Sequence, residues 1–261
     1  MVSSAAAQAR EQARRSDGKF GVQQKAEAGL TLNLPDENDE RFSENLDLMP
    51  LELPFNYTDK FDDRGRLYFR EYIAWRGDEG VQCTEDYYAG NGQIRSRSYS
   101  DFDGSLVDNA QVFRSVIWHH NGALREISYQ PSRRYIKDYL SSGNDSFQFA
   151  REYDECGDLE KIHSYHMSPS GELYVSTSYL GKNGNVERAW NVPIDGHDDL
   201  PDDLPTWVGY YPDGGLKELD WYKSRSKHRE GGPAIIEYNP DGSVKAEKYY
   251  LRGEEVTPPT V

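Results

Sequence analysis

A turn glycine recurs along this chain, each time in the same setting. Aromatic residues come first, then a short polar turn ending in Gly, then an apolar residue, charged residues and another Tyr or Trp. The clearest copies are Tyr87-Tyr88 … Asn91-Gly92-Gln93-Ile94 … Tyr99 and Ile117-Trp118 … Asn121-Gly122-Ala123-Leu124 … Tyr129. Three more are Tyr179 … Asn183-Gly184-Asn185-Val186 … Trp190, Tyr210-Tyr211-Pro212-Asp213-Gly214-Gly215-Leu216 … Trp221-Tyr222, and Tyr238 … Asp241-Gly242-Ser243-Val244 … Tyr249-Tyr250. Weaker copies centre on Gly65, Gly157 and Gly171. The eight glycines are separated by 27, 30, 35, 14, 13, 30 and 28 residues, mostly near 28 or half of it. A recurring period of this size marks a repeat architecture.

Turn chemistry says what the repeat is. Asn-Gly or Asp-Gly stands at 91–92, 103–104, 121–122, 183–184, 213–214 and 241–242. These pairs suit a two-residue hairpin loop of type I′, which needs positive φ at both central residues. The predicted unit is therefore strand, tight turn, strand. After Gly171 the side chains alternate, with Leu173, Val175, Thr177 and Tyr179 on one face and Glu172, Tyr174 and Ser176 on the other. Hydrophobic residues are only 36% of the chain, but 19 Tyr, 9 Phe and 5 Trp make a Tyr-rich core available. Such residues favour strands. The expected fold is all-β, an antiparallel β-meander of about eight hairpin repeats from roughly residue 58 to 256.

The N-terminal region differs. Ser3–Arg15 is Ala-, Gln- and Arg-rich and suits a short helix, marginal on its own at that length. Pro35–Glu44 (PDENDERFSE) reads as a linker. The expected division is a flexible or short-helical arm over 1–45 and a β-hairpin repeat domain over 46–261. Leu46–Tyr57, apolar with two prolines, suits an edge strand.

Net charge is −15, with +2 on residues 1–30 and −17 on the remainder. Duplex nucleic acid and anionic lipid both call for a basic surface, so neither is an expected partner. No apolar run approaches the roughly 18 residues of a membrane span, and Met1–Arg15 lacks the apolar stretch of a secretory signal. Two cysteines, Cys83 and Cys156, lie far apart with no metal spacing, which fits a reducing cytoplasm.

The last repeats carry a recognisable motif. Tyr210–Trp221 (YYPDGGLKELDW), His228–Tyr238 (HREGGPAIIEY) and Asn239–Gly253 (NPDGSVKAEKYYLRG) resemble bacterial and viral repeat proteins of the MORN-like type, especially the variant associated with antitoxins of toxin–antitoxin pairs. Arg252-Gly253-Glu254 stands where that pattern has Asn-Gly-Lys, and Gly231 where it has Asp. The resemblance spans about 50 residues. It implies a long antiparallel meander and no particular activity. Ala13–Leu32 is similar to a leader of uncharacterised actinobacterial and phage proteins. Together the two imply a bacterial or phage source.

Candidate sites are few. The loop Pro193–Pro205 carries Asp195, Asp198, Asp199, Asp202 and Asp203 and interrupts the repeats, so it is an expected partner contact. It lacks the ligand order of an EF-hand, so a solvated acidic loop is the plainer expectation. Tyr88, Tyr211 and Tyr249 are either core or a binding stripe. Lys223, Arg225, Lys227 and Arg229 form the one dense basic run, suited to a phosphate or to neutralising nearby acids. Arg133-Arg134 and Arg95/Arg97 are expected on strands. His163 and His166, three apart on a strand, point to opposite faces and do not form a metal pair; adjacent His119 and His120 fail likewise. No nucleophile elbow, phosphate-binding loop, dinucleotide fingerprint or zincin motif is present, so no catalytic residue, metal or cofactor is called for.

The reading that follows is a non-catalytic protein-binding repeat protein with an acidic, Tyr-rich face. One alternative is a phage or mobile-element inhibitor that imitates nucleic acid, of the anti-restriction or anti-CRISPR kind, or an antitoxin, with a basic nucleic-acid-handling protein or a toxin as partner. The other alternative is an enzyme whose site is assembled between repeats.

Overall fold

The computed structural model describes residues 57–76, 79–101, 114–194 and 200–258. These form two compact units that divide between Leu200 and Pro201. The arm over 1–45, Leu46–Asn56, the Asp103-Gly104 turn, and Asp195, Asp198 and Asp199 lie outside the described residues.

The first unit is an antiparallel meander of β1 (Tyr57–Phe61), β2 (Leu67–Arg76), β3 (Glu79–Tyr87), β4 (Ile94–Asp101), β5 (Arg114–Trp118), β6 (Leu124–Tyr129), β7 (Phe147–Tyr153), β8 (Leu159–Met167), β9 (Leu173–Leu180) and β10 (Val186–Pro193). Each strand pairs with the next in chain order. One helix, α1 (Arg133–Ser141), interrupts the run between β6 and β7.

The second unit holds β11 (Trp207–Tyr210), β12 (Leu216–Asp220), β15 (Ile235–Tyr238), β16 (Val244–Leu251) and β17 (Glu254–Val256), paired in that order. A separate hairpin of β13 (Tyr222–Lys223) and β14 (Ser226–Lys227) is inserted between β12 and β15. The all-β antiparallel meander expected from the repeats is the architecture of both units.

Two expectations are corrected. Arg133 and Arg134 open α1 rather than sitting on a strand. Ser132 caps it, its Oγ accepting from the Tyr135 N–H at 3.2 Å. Ile136 and Leu140, one turn apart, bury against Leu173 with Tyr139, Tyr165, Met167 and Ile194 around them.

The second correction concerns the turns. All eight repeat glycines have φ between 72° and 93°, but the Asn and Asp before them do not reach positive φ. The loops are therefore not type I′. At Asn121-Gly122, the Gly122 N–H donates to the His119 carbonyl at 2.9 Å and the His119 N–H to the Ala123 carbonyl at 2.8 Å. The ladder register shifts just before, between Ile117 and Trp118. This is a three-residue loop closed by a glycine bulge. The same two bonds recur at Gly65, Gly157, Gly171, Gly184, Gly214 and Gly242, and the Gly92 loop is one residue longer. The acid or amide before the glycine works through its side chain instead. Asn121 Oδ1 accepts from the Ala123 N–H at 3.0 Å, Asp213 Oδ1 from Gly215 at 3.0 Å, and Asp241 Oδ1 from Ser243 at 2.9 Å.

The period of about 28 residues corresponds to two strands, and side chains bond across it. The Tyr88 hydroxyl donates to the Trp118 carbonyl at 2.8 Å, and His119 Nε2 to the Tyr153 carbonyl at 2.9 Å. Arg66 Nη1 donates to the Ala89 carbonyl, and Asn121 Nδ2 to that of Glu155 at 3.1 Å. In the second unit the Tyr211 hydroxyl donates to the Tyr238 carbonyl at 2.8 Å. Each rung ties one turn to the next turn of the repeat.

Register assigns the faces. On β8–β10, Thr177 stands opposite His163 and Trp190, and Ser176 opposite Ser164 and Asn191. The second row is the buried one: Ser164, Tyr174, Ser176, Ala189 and Asn191 are all buried. The same face holds Arg151, Ile162, Val116, Ile127, Arg114, Glu85, Cys83 and Tyr72. It is thus a mixed interior of apolar and polar side chains. Glu85 accepts from Tyr72 at 2.9 Å, from Arg97 at 2.7 Å and from Tyr87.

Candidate functional site

Four arginines of the first unit are engaged within the fold. Arg114 and Arg151 are buried at 3% and 5% exposure, and Arg97 is bound to the buried Glu85. The Arg114 guanidinium lies 5.8 Å from the Tyr99 ring, and that of Arg97 5.8 Å from Trp118. Arg70 donates to Asp59 from Nε and Nη2, at 2.7 and 2.8 Å, and holds that carboxyl below its usual range. Lys161 bonds Glu152 at 2.6 Å. Burial alone would raise the Glu152 carboxyl, but the Lys161 and His163 bonds outweigh it and lower it. Meanwhile Asp63, Glu155, Asp158, Glu160, Glu172 and Glu187 are exposed. Arg64, Arg66, Arg95, Arg125, Lys182 and Arg188 are exposed as well, so the described surface of this unit carries charges of both signs.

The tyrosines divide as their partners dictate. Tyr88 and Tyr211 are half-buried rungs between turns. Tyr249 is also half-buried, its hydroxyl 3.5 Å from Glu247, and burial raises its phenol. Among the described tyrosines only Tyr57 and Tyr68 are exposed. His163 and His166 lie on opposite faces, as their spacing predicts. His163 bonds Glu152 and Thr177, and His166 stacks on Tyr174 at 5.2 Å.

The basic run lies in the second unit, on the inserted hairpin. Its Ser224-Arg225 loop has φ of 48° and 67°, and the β16–β17 loop Arg252-Gly253 has 54° and 87°. These are the two-residue loops with both central residues at positive φ, found at sites the glycine pattern did not mark. They lie side by side. The Gly253 N–H donates to the Lys227 carbonyl at 2.9 Å, and the Arg229 N–H to the Tyr250 carbonyl at 3.1 Å. A cavity of about 380 Å³ opens between them, lined by Lys223, Ser224, Ser226, His228, Glu230 and Arg252.

The four cations of the run have different fates. Lys227 lies 3.4 Å from the buried Asp220 carboxylate. Arg229 stacks on Trp221 at 3.7 Å and donates from Nε to the Asp202 carbonyl at 2.9 Å. The Asp202 carboxylate accepts from the Glu230 and Gly231 N–H groups at 3.0 and 3.3 Å. The acidic loop and the basic run thus meet at Asp202, which holds the chain in place, while Asp203 is exposed. Lys223 and Arg225 are exposed and enter no ion pair among the described residues.

His228 is the buried member of the cavity wall, 7% exposed. Its Nδ1 accepts from the Arg252 N–H at 3.0 Å, which places the ring proton on Nε2. That Nε2 has no hydrogen-bond partner, with Glu230 Oε1 standing 3.6 Å away. An unpaired buried donor costs about 1–3 kcal/mol. Sequence reasoning singled out the four cations of the basic run, while His228 and Arg252 entered only as members of the run or of the repeat motif. The one available signal was Arg252 standing where the related motif has Asn.

Among the described residues no group of His, Cys, Asp and Glu is arranged to hold a metal ion, and no helix is long and apolar enough to cross a membrane. No protein-family model matches this chain, and a search of curated proteins finds no match.

Proposed function

We propose that this chain is a non-catalytic binding protein whose acidic surface docks on a basic protein. The observation that carries this reading is the net charge of −15. Arg70, Arg97, Arg114 and Arg151 are engaged within the fold, and the carboxylates of turns such as Glu155-Cys156-Gly157-Asp158 are exposed. A surface of one sign attracts and orients a partner of the other sign. The repeated aromatic and amide groups serve the scaffold through the rungs between turns, so recognition falls to the exposed acids. The same field suits an inhibitor or antitoxin acting on a nucleic-acid-handling protein, and a cytoplasmic setting fits two unpaired cysteines.

The test is affinity capture from a lysate of the chain's own host, washed at low and high salt. It is run with the natural chain and with Glu155→Lys/Asp158→Lys/Glu160→Lys, whose side chains are all exposed. The expected result is one stoichiometric basic protein, retained at low salt, released at high salt and lost with the reversed charges. A partner retained through the high-salt wash and by the reversed variant would refute the reading.

A further inference from the structure

We infer that the cavity between the Ser224-Arg225 and Arg252-Gly253 loops is a binding site for a small phosphate-bearing molecule. It is separate from the acidic surface, and neither reading depends on the other.

Three independent features converge on it. The first is the unpaired donor. His228 Nε2–H lines the cavity, and the bond from the Arg252 N–H to Nδ1 fixes it in the donor state. A ligand oxygen accepting from Nε2 completes the last unmet bond of that ring. The second is charge. Lys223 and Arg252 line the cavity and Arg225 sits in the same loop, and none of the three enters an ion pair among the described residues. The other two cations of the run are already neutralised or stacked, so these three are left for an external anion. The third is backbone conformation. Ser224, Arg225 and Arg252 are the described non-glycine residues with positive φ; Ser224 and Arg252 line this cavity and Arg225 follows Ser224 in its loop. Such conformations are costly for residues with a side chain and persist where the surroundings impose them. At 252, Asn would suit the loop better and Arg is present instead, which favours a role for the guanidinium.

The donors define the ligand. His228, Ser226, Lys223 and Arg252 approach from both loops, which suits a tetrahedral oxyanion with several acceptor oxygens. A volume of about 380 Å³ exceeds what a bare phosphate fills and lies at the lower end of small-molecule sites. Glu230 is the one acid on the wall, and it repels a bare anion. It therefore calls for a hydroxyl or amine on the ligand body to donate to its carboxylate. The class is a small, hydroxyl- or amine-bearing phosphate ester.

The test uses the full chain, isotopically labelled, titrated with inorganic phosphate and separately with succinate while amide and imidazole resonances are followed. Phosphate is expected to shift the His228 imidazole and the Arg252 and Gly253 amides in a saturable way, with succinate weaker. Arg252→Asn keeps the backbone N–H that holds His228 and suits the loop, so it is expected to fold with an undiminished Tm yet bind phosphate about tenfold more weakly. Lys223→Ala, an exposed position, is expected to weaken binding as well. No saturable response to phosphate, tighter binding of succinate, or unchanged affinity in both variants would overturn the proposal.

Discussion

His166 shows how a single side chain sets a condition on this fold. It lies opposite Tyr174 on β9 and stacks on that ring, and burial pushes its imidazole down to about 4. In the unfolded chain it titrates near 6.5. Between those values the unfolded chain binds a proton that the folded chain excludes, so stability falls as pH drops through the window. By pH 5 the loss from this one group amounts to about 2 kcal/mol. His166→Phe keeps the stack and removes the proton. Thermal melts of both proteins from pH 7 to pH 5 are expected to show the variant gaining on the natural chain as pH falls. A constant difference between them would mean that His166 is not excluded from protonation.

At the scale of the element, the turn and its rung make the repeat. The Tyr88 hydroxyl donates to the Trp118 carbonyl, and Phe at 88 would remove that bond. Tyr88→Phe is expected to cost about 1 kcal/mol in urea unfolding. Tyr249→Phe, whose hydroxyl is only 3.5 Å from an exposed carboxylate, is expected to cost clearly less. Equal costs would remove the distinction between rung and ornament. The repeats were legible in the sequence because a left-handed turn position is hard to fill without glycine, and all eight glycines take that conformation. The loop type was not legible. Asn-Gly serves both the two-residue loop and the glycine bulge, and what separates them is the φ of the Asn and the backbone bonds that close the loop. The helix left a signal that strand-favouring tyrosines obscured: Ser132 as cap, then Ile136 and Leu140 one turn apart. The cavity left almost none. It depends on two loops 28 residues apart, each held left-handed by contacts that no local rule encodes.

On the whole molecule, the pairing of particular arginines within the fold separates two kinds of electrostatics that respond differently to salt. Pairs such as Arg97 with the buried Glu85 and Arg70 with Asp59 are close and partly shielded from solvent, so ions screen them weakly. The exposed carboxylates of a chain of net charge −15 repel one another across solvent, where screening acts fully. Adding salt therefore relieves the repulsion more than it weakens the internal pairs. Raising sodium chloride from about 0.01 M to 0.15 M shortens the screening length from roughly 30 Å to roughly 8 Å. Tm is then expected to rise by roughly 2–5 °C at neutral pH. The triple reversal Glu155→Lys/Asp158→Lys/Glu160→Lys moves net charge from −15 toward −9 and is expected to flatten that response. A Tm that falls with salt in the natural chain would mean that attraction outweighs repulsion at its surface, and the acidic field invoked for partner docking would lose its basis.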